Sequence, residues 1–208
     1  MQTFKYRVEA YSARFISDIF NPLALPVLVY AMAGISMGHP PYEILKVGII
    51  TLNLFFVIPL FTALSGIKLN FGKSLDFNAR TGRIYLYLIS IVSVGFGGIY
   101  IFRDQLSGLY NTITLIYLTN LSIAFIANLR WKVSVHLGSV IIASTLLFWL
   151  SIYSDSTYLL AICAFSLLAI SPFVLWARLK LKVHNMNELV FGAILGLMTT
   201  VIAIYLFT

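Results

Sequence analysis

Seven stretches of this sequence run for about 18 or more residues with almost no charge, the length an α-helix needs to cross the hydrocarbon core of a bilayer. They lie at 20–37, 44–64, 84–102, 112–129, 133–153, 158–177 and 188–207. The composition agrees with burial in lipid. Of 208 residues, 60% are hydrophobic and 10% charged, against roughly 25% charged in a soluble domain. The connections are short and leave no room for a soluble domain. The expected fold class is therefore all-α, a polytopic transmembrane helix bundle of about seven spans with six as the alternative, forming one membrane-embedded domain over 19–208.

Ahead of the first run, Phe4, Val8, Tyr11, Phe15 and Ile19 recur at helical spacing among charged residues, so 1–18 is expected to form an interfacial amphipathic segment. Lys5, Arg7 and Arg14 precede a first run that shows no small-residue cleavage site. It is expected to be retained and not removed as a signal peptide. The single cysteine, Cys163, falls inside a run; it has no internal disulfide partner and reads as a small core residue.

If the runs cross in turn, the N-terminus shares a face with the connections near 65–83, 130–132 and 178–187. That face carries twelve of the fourteen basic residues, and the other carries Lys46 and Arg103. By the positive-inside rule the basic face is cytoplasmic in a multi-pass protein of the cell membrane. Setting aside Lys73, Arg80, Arg83 and Arg178 as candidate anion ligands still leaves eight against two. A face of this charge attracts anionic lipid head groups. Nucleic acid is not an expected partner, because the basic residues border spans and form no separate module.

Each basic connection also carries a specific polar set. In GKSLDFNARTGR, Lys73 and Arg80 are seven apart and Arg83 follows three later; in RWKVSVHLGS, Ser134 and His136 lie two apart at the mouth of a run. In ARLKLKVHNMNE, Arg178 precedes His184 by six and Glu188 follows it by four. On a helix, positions four apart share a face, so Glu188 can bond one ring nitrogen of His184 and leave the other with an outward lone pair. That is how a histidine is prepared as a nucleophile. Basic residues beside spans are ordinarily topology signals or snorkelling anchors. Concurrence separates these from that background: two of three histidines sit among basic residues at span mouths on one face. The third, His39 in MGHPPYE, lies on the opposite face without such company and reads as a loop residue.

These three sets, in this order, resemble the signature of the type 2 phosphatidic acid phosphatase superfamily, integral-membrane lipid phosphatases related in fold to vanadium haloperoxidases. Its motifs read K-x6-R-P, P-S-G-H and S-R-x5-H-x3-D. Lys73, Arg80 and Thr81 match the first with threonine for proline. Val133, Ser134, Val135 and His136 match the second with valines for proline and glycine. Ala177, Arg178, His184 and Glu188 match the third with alanine for serine and glutamate for aspartate.

The resemblance covers about residues 65–207 and implies a haloperoxidase-like core in which the motifs converge on one pocket. It also implies the roles. Lys73, Arg80, Arg178 and Ser134 would bind the phosphate of a lipid or polyprenyl (di)phosphate. His184 would attack phosphorus to give a phosphohistidine, oriented by Glu188, and His136 would protonate the departing oxygen and then activate water. Arg83 and Lys132 are further phosphate-binding candidates, equally readable as interfacial anchors. No cofactor and no metal are implied. The seven acidic residues include no D-D-x-x-D cluster of the kind that holds magnesium, and DFNARTG lacks the later aspartates of a CDP-alcohol phosphotransferase. The competing class is a noncatalytic protein binding anionic head groups, or a small transporter. Gly192 and Gly196 in GAILG form a close-packing face compatible with either; a homodimer is left open.

Overall fold

The computed structural model describes residues 2–68, 80–103 and 108–208, without the side chains of 2–7, 80 and 81. Its described elements are all helical. They are α1 (Gln2–Ile19), α2 (Leu25–Ser36), α3 (Pro41–Lys68), α4 (Arg80–Arg103), α5 (Gly108–Asn128), α6 (Val135–Tyr153), α7 (Thr157–Lys180) and α8 (Met186–Phe207). The last six are long and apolar enough to cross a membrane.

The first expected run does not form a spanning helix, which corrects the count of seven to six among the described residues, the alternative expected from the sequence. FNPLALP breaks it. Pro22 fixes its own φ and keeps Asn21 out of the helical region, and Asn21 Oδ1 accepts the Leu23 N–H at 3.0 Å, an Asx turn. The chain then resumes as α2, whose 12 residues rise about 18 Å, short of the roughly 30 Å hydrocarbon core.

The two pieces nevertheless carry the chain from one end of the bundle to the other. Glu9 of α1 pairs with Lys180 at the end of α7. Ile16 and Phe20 belong to an apolar cluster with Ile170 and Val174, which lie earlier in α7, deeper in the bundle. Beyond the break, Tyr30 Oη is 2.6 Å from Thr114 Oγ1, and His39 Nδ1 is 3.2 Å from Tyr110 Oη near the start of α5. α1, the counterpart of the expected interfacial segment, buries Ala13 and Ser17 and leaves Val8, Tyr11, Phe15 and Ile19 exposed as an outward apolar stripe. Reporters fused at the two termini are therefore expected on opposite sides of the membrane. Both on one side would contradict this passage.

Two spans contain a wider π-helical turn, Leu52–Val57 in α3 and Ser166–Ile170 in α7. Each lies just before a proline, Pro59 and Pro172. A proline has no N–H for the carbonyl four residues back and crowds it, and the wider turn takes up that mismatch.

α6 and α8 meet backbone to backbone through Gly138, Gly192 and Gly196. A Cβ on Gly192 would fall 2.5 Å from the Ser134 carbonyl oxygen, and one on Gly196 would fall 2.8 Å from that of Gly138. The close-packing face seen in GAILG is thus occupied by α6 of the same chain, and the approach lets Ser134 N–H donate to the Glu188 carbonyl at 3.2 Å. Gly192→Ala is expected to force the helices apart at a cost of about 1–3 kcal/mol, read as a lowered unfolding midpoint in detergent. An unchanged midpoint would contradict the tight seam.

Candidate functional site

The stretch from Ala177 to Glu188 covers the last turn of α7, a tight connection over 181–185 and the first turn of α8. Lys182 takes a left-handed φ of 55° and turns the chain after Lys180. Asn185 then caps α8, its side chain accepting the Glu188 N–H at 2.9 Å while its Nδ2 donates to Glu188 Oε1 at 3.3 Å. This cap places the Glu188 carboxylate in the first turn of α8, where the helix dipole favours a negative charge. Glu188 Oε2 lies 2.7 Å from His184 Nδ1. Because a carboxylate only accepts, Nδ1 carries the ring proton and Nε2 keeps the lone pair.

The His184 side chain is only 7% exposed. Burial pushes its pKa down to about 4; the Glu188 hydrogen bond opposes the shift, and the charges of Arg178 and Lys132 assist it. The ring is therefore neutral at pH 7. With nitrogen-15 labelled histidine, the His184 ring is expected to stay neutral as pH falls through 6.5 and to protonate near 4. A midpoint at 6.5 would refute the buried environment.

Ser134 is the N-cap of α6, with φ −81° and ψ 107°, and Val135 begins the helix. No positive φ is needed here, so valines fit where the resembled motif has proline and glycine. Lys132, just before, donates to the Val183 carbonyl at 2.5 Å and stands 3.7 Å from Glu188 Oε2. The mouth of α6 is thereby tied to the α7–α8 connection from both sides.

Arg178 occupies the last turn of α7 and is 2% exposed, with Nη1 donating to Ser17 Oγ at 2.8 Å. Its neighbours differ: Lys180 turns to Glu9 and Lys182 is exposed. Arg83, in the first turns of α4, donates from Nε to Asn128 Oδ1 at 2.9 Å.

These groups line one cavity of about 220 Å³. Its basic end is formed by Arg83, Lys132, Ser134, His136, Arg178 and His184. It continues into the bundle past Tyr87 of α4, Phe55 and Pro59 of α3, and Tyr117 and Asn120 of α5, reaching Thr199 of α8, which donates to Asn120 Oδ1. Of the expected residues, His184, His136, Ser134 and Arg178 share this cavity, with Glu188 held against His184. Arg83 and Lys132 join them. Lys73 lies outside the described residues, as does the side chain of Arg80, which opens α4 one turn before Arg83. His39 sits at the other end, 3.2 Å from Glu43 Oε1.

Sequence reasoning missed the contribution of the N-terminal segment. Arg14, Asp18, Asn21 and Pro22 also line the cavity, and Arg14 Nη1 stands 4.0 Å from Asp18 Oδ1. The available signal was the i, i+4 spacing of Arg14 and Asp18 just before the Asn-Pro break, which reads equally as an anchor. Tyr87 and Tyr117 were missed as well, being indistinguishable in sequence from other aromatic residues of the spans.

No family model, no curated protein and no solved structure matches the chain. The chemistry of the arrangement itself indicates its capabilities. The buried Arg178, the partly exposed Arg83 and Lys132 and the N-terminus of α6 suit an anion, and a neutral, oriented imidazole beside them suits nucleophilic attack.

Proposed function

We propose that this protein is an integral-membrane lipid phosphatase that hydrolyses a phosphate monoester or diphosphate of a lipid through a phosphohistidine. The carrying observation is the convergence of His184, oriented by Glu188 at 2.7 Å, with Arg178, Ser134 and His136 on a cavity that runs from a basic mouth into apolar helix surfaces. A lipid phosphate has that same polarity along its length. The resemblance to the type 2 phosphatidic acid phosphatases supports the same reading.

His184 Nε2 attacks phosphorus in line, and the bond from phosphorus to the lipid oxygen breaks. His136 gives that oxygen a proton and the alcohol leaves. Neutral His136 then takes a proton from water, whose oxygen attacks the phosphohistidine, releasing phosphate and restoring His184. Glu188 stabilises the ring as it becomes positive. Arg178 and Arg83 neutralise the nonbridging oxygens and Ser134 donates a hydrogen bond to one of them, with Lys73 and Arg80 assigned to the same clamp by the resemblance. Lys132, engaged with Glu188 and the Val183 carbonyl, holds the nucleophile's partner in place. The basic mouth is assigned to the cytoplasmic side by the charge asymmetry.

The test is phosphate release from phosphatidate, phosphatidylglycerophosphate, polyprenyl phosphates and diphosphates, and lipid A phosphates in detergent with a chelator present. Release from at least one is expected. Binding without release from any would leave a noncatalytic receptor for anionic head groups.

A further inference from the structure

Four tyrosines of the bundle are buried or lie deep among the helices, and their hydroxyls divide by location. Tyr30 and Tyr110 lie outside the cavity lining and are paired, Tyr30 with Thr114 Oγ1 at 2.6 Å and Tyr110 with His39 Nδ1 at 3.2 Å. Tyr87 and Tyr117 line the cavity. They are 6% and 5% exposed, and neither hydroxyl has a hydrogen-bond partner among the described residues. A buried tyrosine hydroxyl ordinarily finds a partner, and leaving one unmade is costly. Among these four, pairing is missing only at the two residues that line the cavity, so a molecule filling the cavity is the nearest source of the missing partners.

We infer that Tyr87 and Tyr117 are specificity residues that donate to ester carbonyls of a glycerolipid phosphate, selecting it over polyprenyl phosphates and ether lipids. This rests on the lipid phosphatase reading for its chemistry. Arg83 and Tyr87 share one face of α4 four residues apart, a rise of about 6 Å, and both line the cavity. A phosphate held beside Arg83 therefore has the Tyr87 hydroxyl one helical turn deeper, where the glycerol ester carbonyls come a few covalent bonds after the phosphate. Tyr117 is held by its ring, 5.3 Å from that of Phe55 and 6.2 Å from that of Tyr30, and offers the second donor from α5, the helix packed beside α4. A polyprenyl phosphate carries only hydrocarbon at this depth and would leave both hydroxyls unpaired. Site polarity of this kind discriminates by leaving buried groups unsatisfied in the wrong complex.

The experiment compares a diacylglycerol phosphate, its dialkyl ether analogue of equal chain length, and a polyprenyl phosphate in mixed micelles. The wild type is expected to favour the diester over the diether by about tenfold in kcat/KM. Tyr87→Phe and Tyr117→Phe should each lower diester turnover and, by removing a hydroxyl that the ether lipid leaves unpaired, hold or raise the diether rate, so that the two rates converge. Equal wild-type rates on the two lipids, or equal losses on both in the variants, would overturn the inference.

A binding arm separates this from failure of the phosphatase reading. If no lipid releases phosphate, that reading fails. The inference then still requires the diester to raise the unfolding midpoint more than the diether, a difference absent in the double phenylalanine variant. Equal shifts in the wild type would overturn it.

Discussion

His184→Ala is expected to be inactive on every phosphate ester and to form no labelled phosphoenzyme, whereas His136→Ala should lose only what depends on protonating the leaving group. His184 is oriented by Glu188 at 2.7 Å and kept neutral by burial. A lipid alkoxide leaves badly, so His136→Ala should cost on the order of 10² to 10⁴ in rate on a lipid phosphate. A nitrophenyl phosphate needs little protonation as its alcohol departs. On that substrate His136→Ala should retain first-step activity and accumulate phosphoenzyme, because the second step lacks its base. The measurement is a rapid quench with labelled substrate that avoids acid, since phosphohistidine is acid-labile. Labelling of His184→Ala but not His136→Ala would reverse the two roles. An active wild type that never labels would remove the covalent step.

Arg178→Ala is expected to lower turnover by about 10² to 10³, the scale seen when one preorganised donor is taken from a developing charge. Arg178→Lys should also fall well short of wild type, since a lysine keeps the charge but lacks the planar fork. Lys180→Ala removes a partly exposed ion pair with Glu9, an interaction of about 0–1 kcal/mol, and Lys182 is exposed. Both changes should leave most of the activity. Because Arg178 is buried against Ser17, unfolding midpoints in detergent accompany the assay to separate chemistry from misfolding. Equal losses at Arg178, Lys180 and Lys182 would mean a nonspecific basic surface and no built anion site.

The parts of the site legible in the sequence are those set by short-range geometry. His184 and Glu188 are four residues apart, and the Asn185 cap that fixes Glu188 lies between them, so the pair could be read before any helix was packed. The placement of Ser134 and His136 beside them needed a longer step. Hydropathy alternation puts their connections on one face but does not say how near they come. The distance is set where Gly138, Gly192 and Gly196 let two backbones touch.

Arg83 and Lys132 illustrate the limit on single residues. In sequence they are alike, two cations beside apolar runs. In the bundle Lys132 reaches Glu188 and the Val183 carbonyl, and Arg83 reaches Asn128 from the cavity wall.

By itself the sequence determined that this chain lives in a membrane as helices, because runs of this length and apolarity must satisfy their backbones internally in lipid. Alternation of the spans also led to the expectation that the basic connections share a face, and among the described residues Arg83, Lys132 and Arg178 line one cavity. The tertiary structure alone decided that the first run breaks at Asn21-Pro22 and lines the cavity instead of forming a seventh spanning helix, since an Asn-Pro pair inside an apolar run reads equally as a kink or a break. It alone decided that Tyr87 and Tyr117 line the cavity with unpaired hydroxyls while Tyr30 and Tyr110 find partners. A hydroxyl's partner is supplied by a different helix, and only packing brings that helix near or leaves a gap.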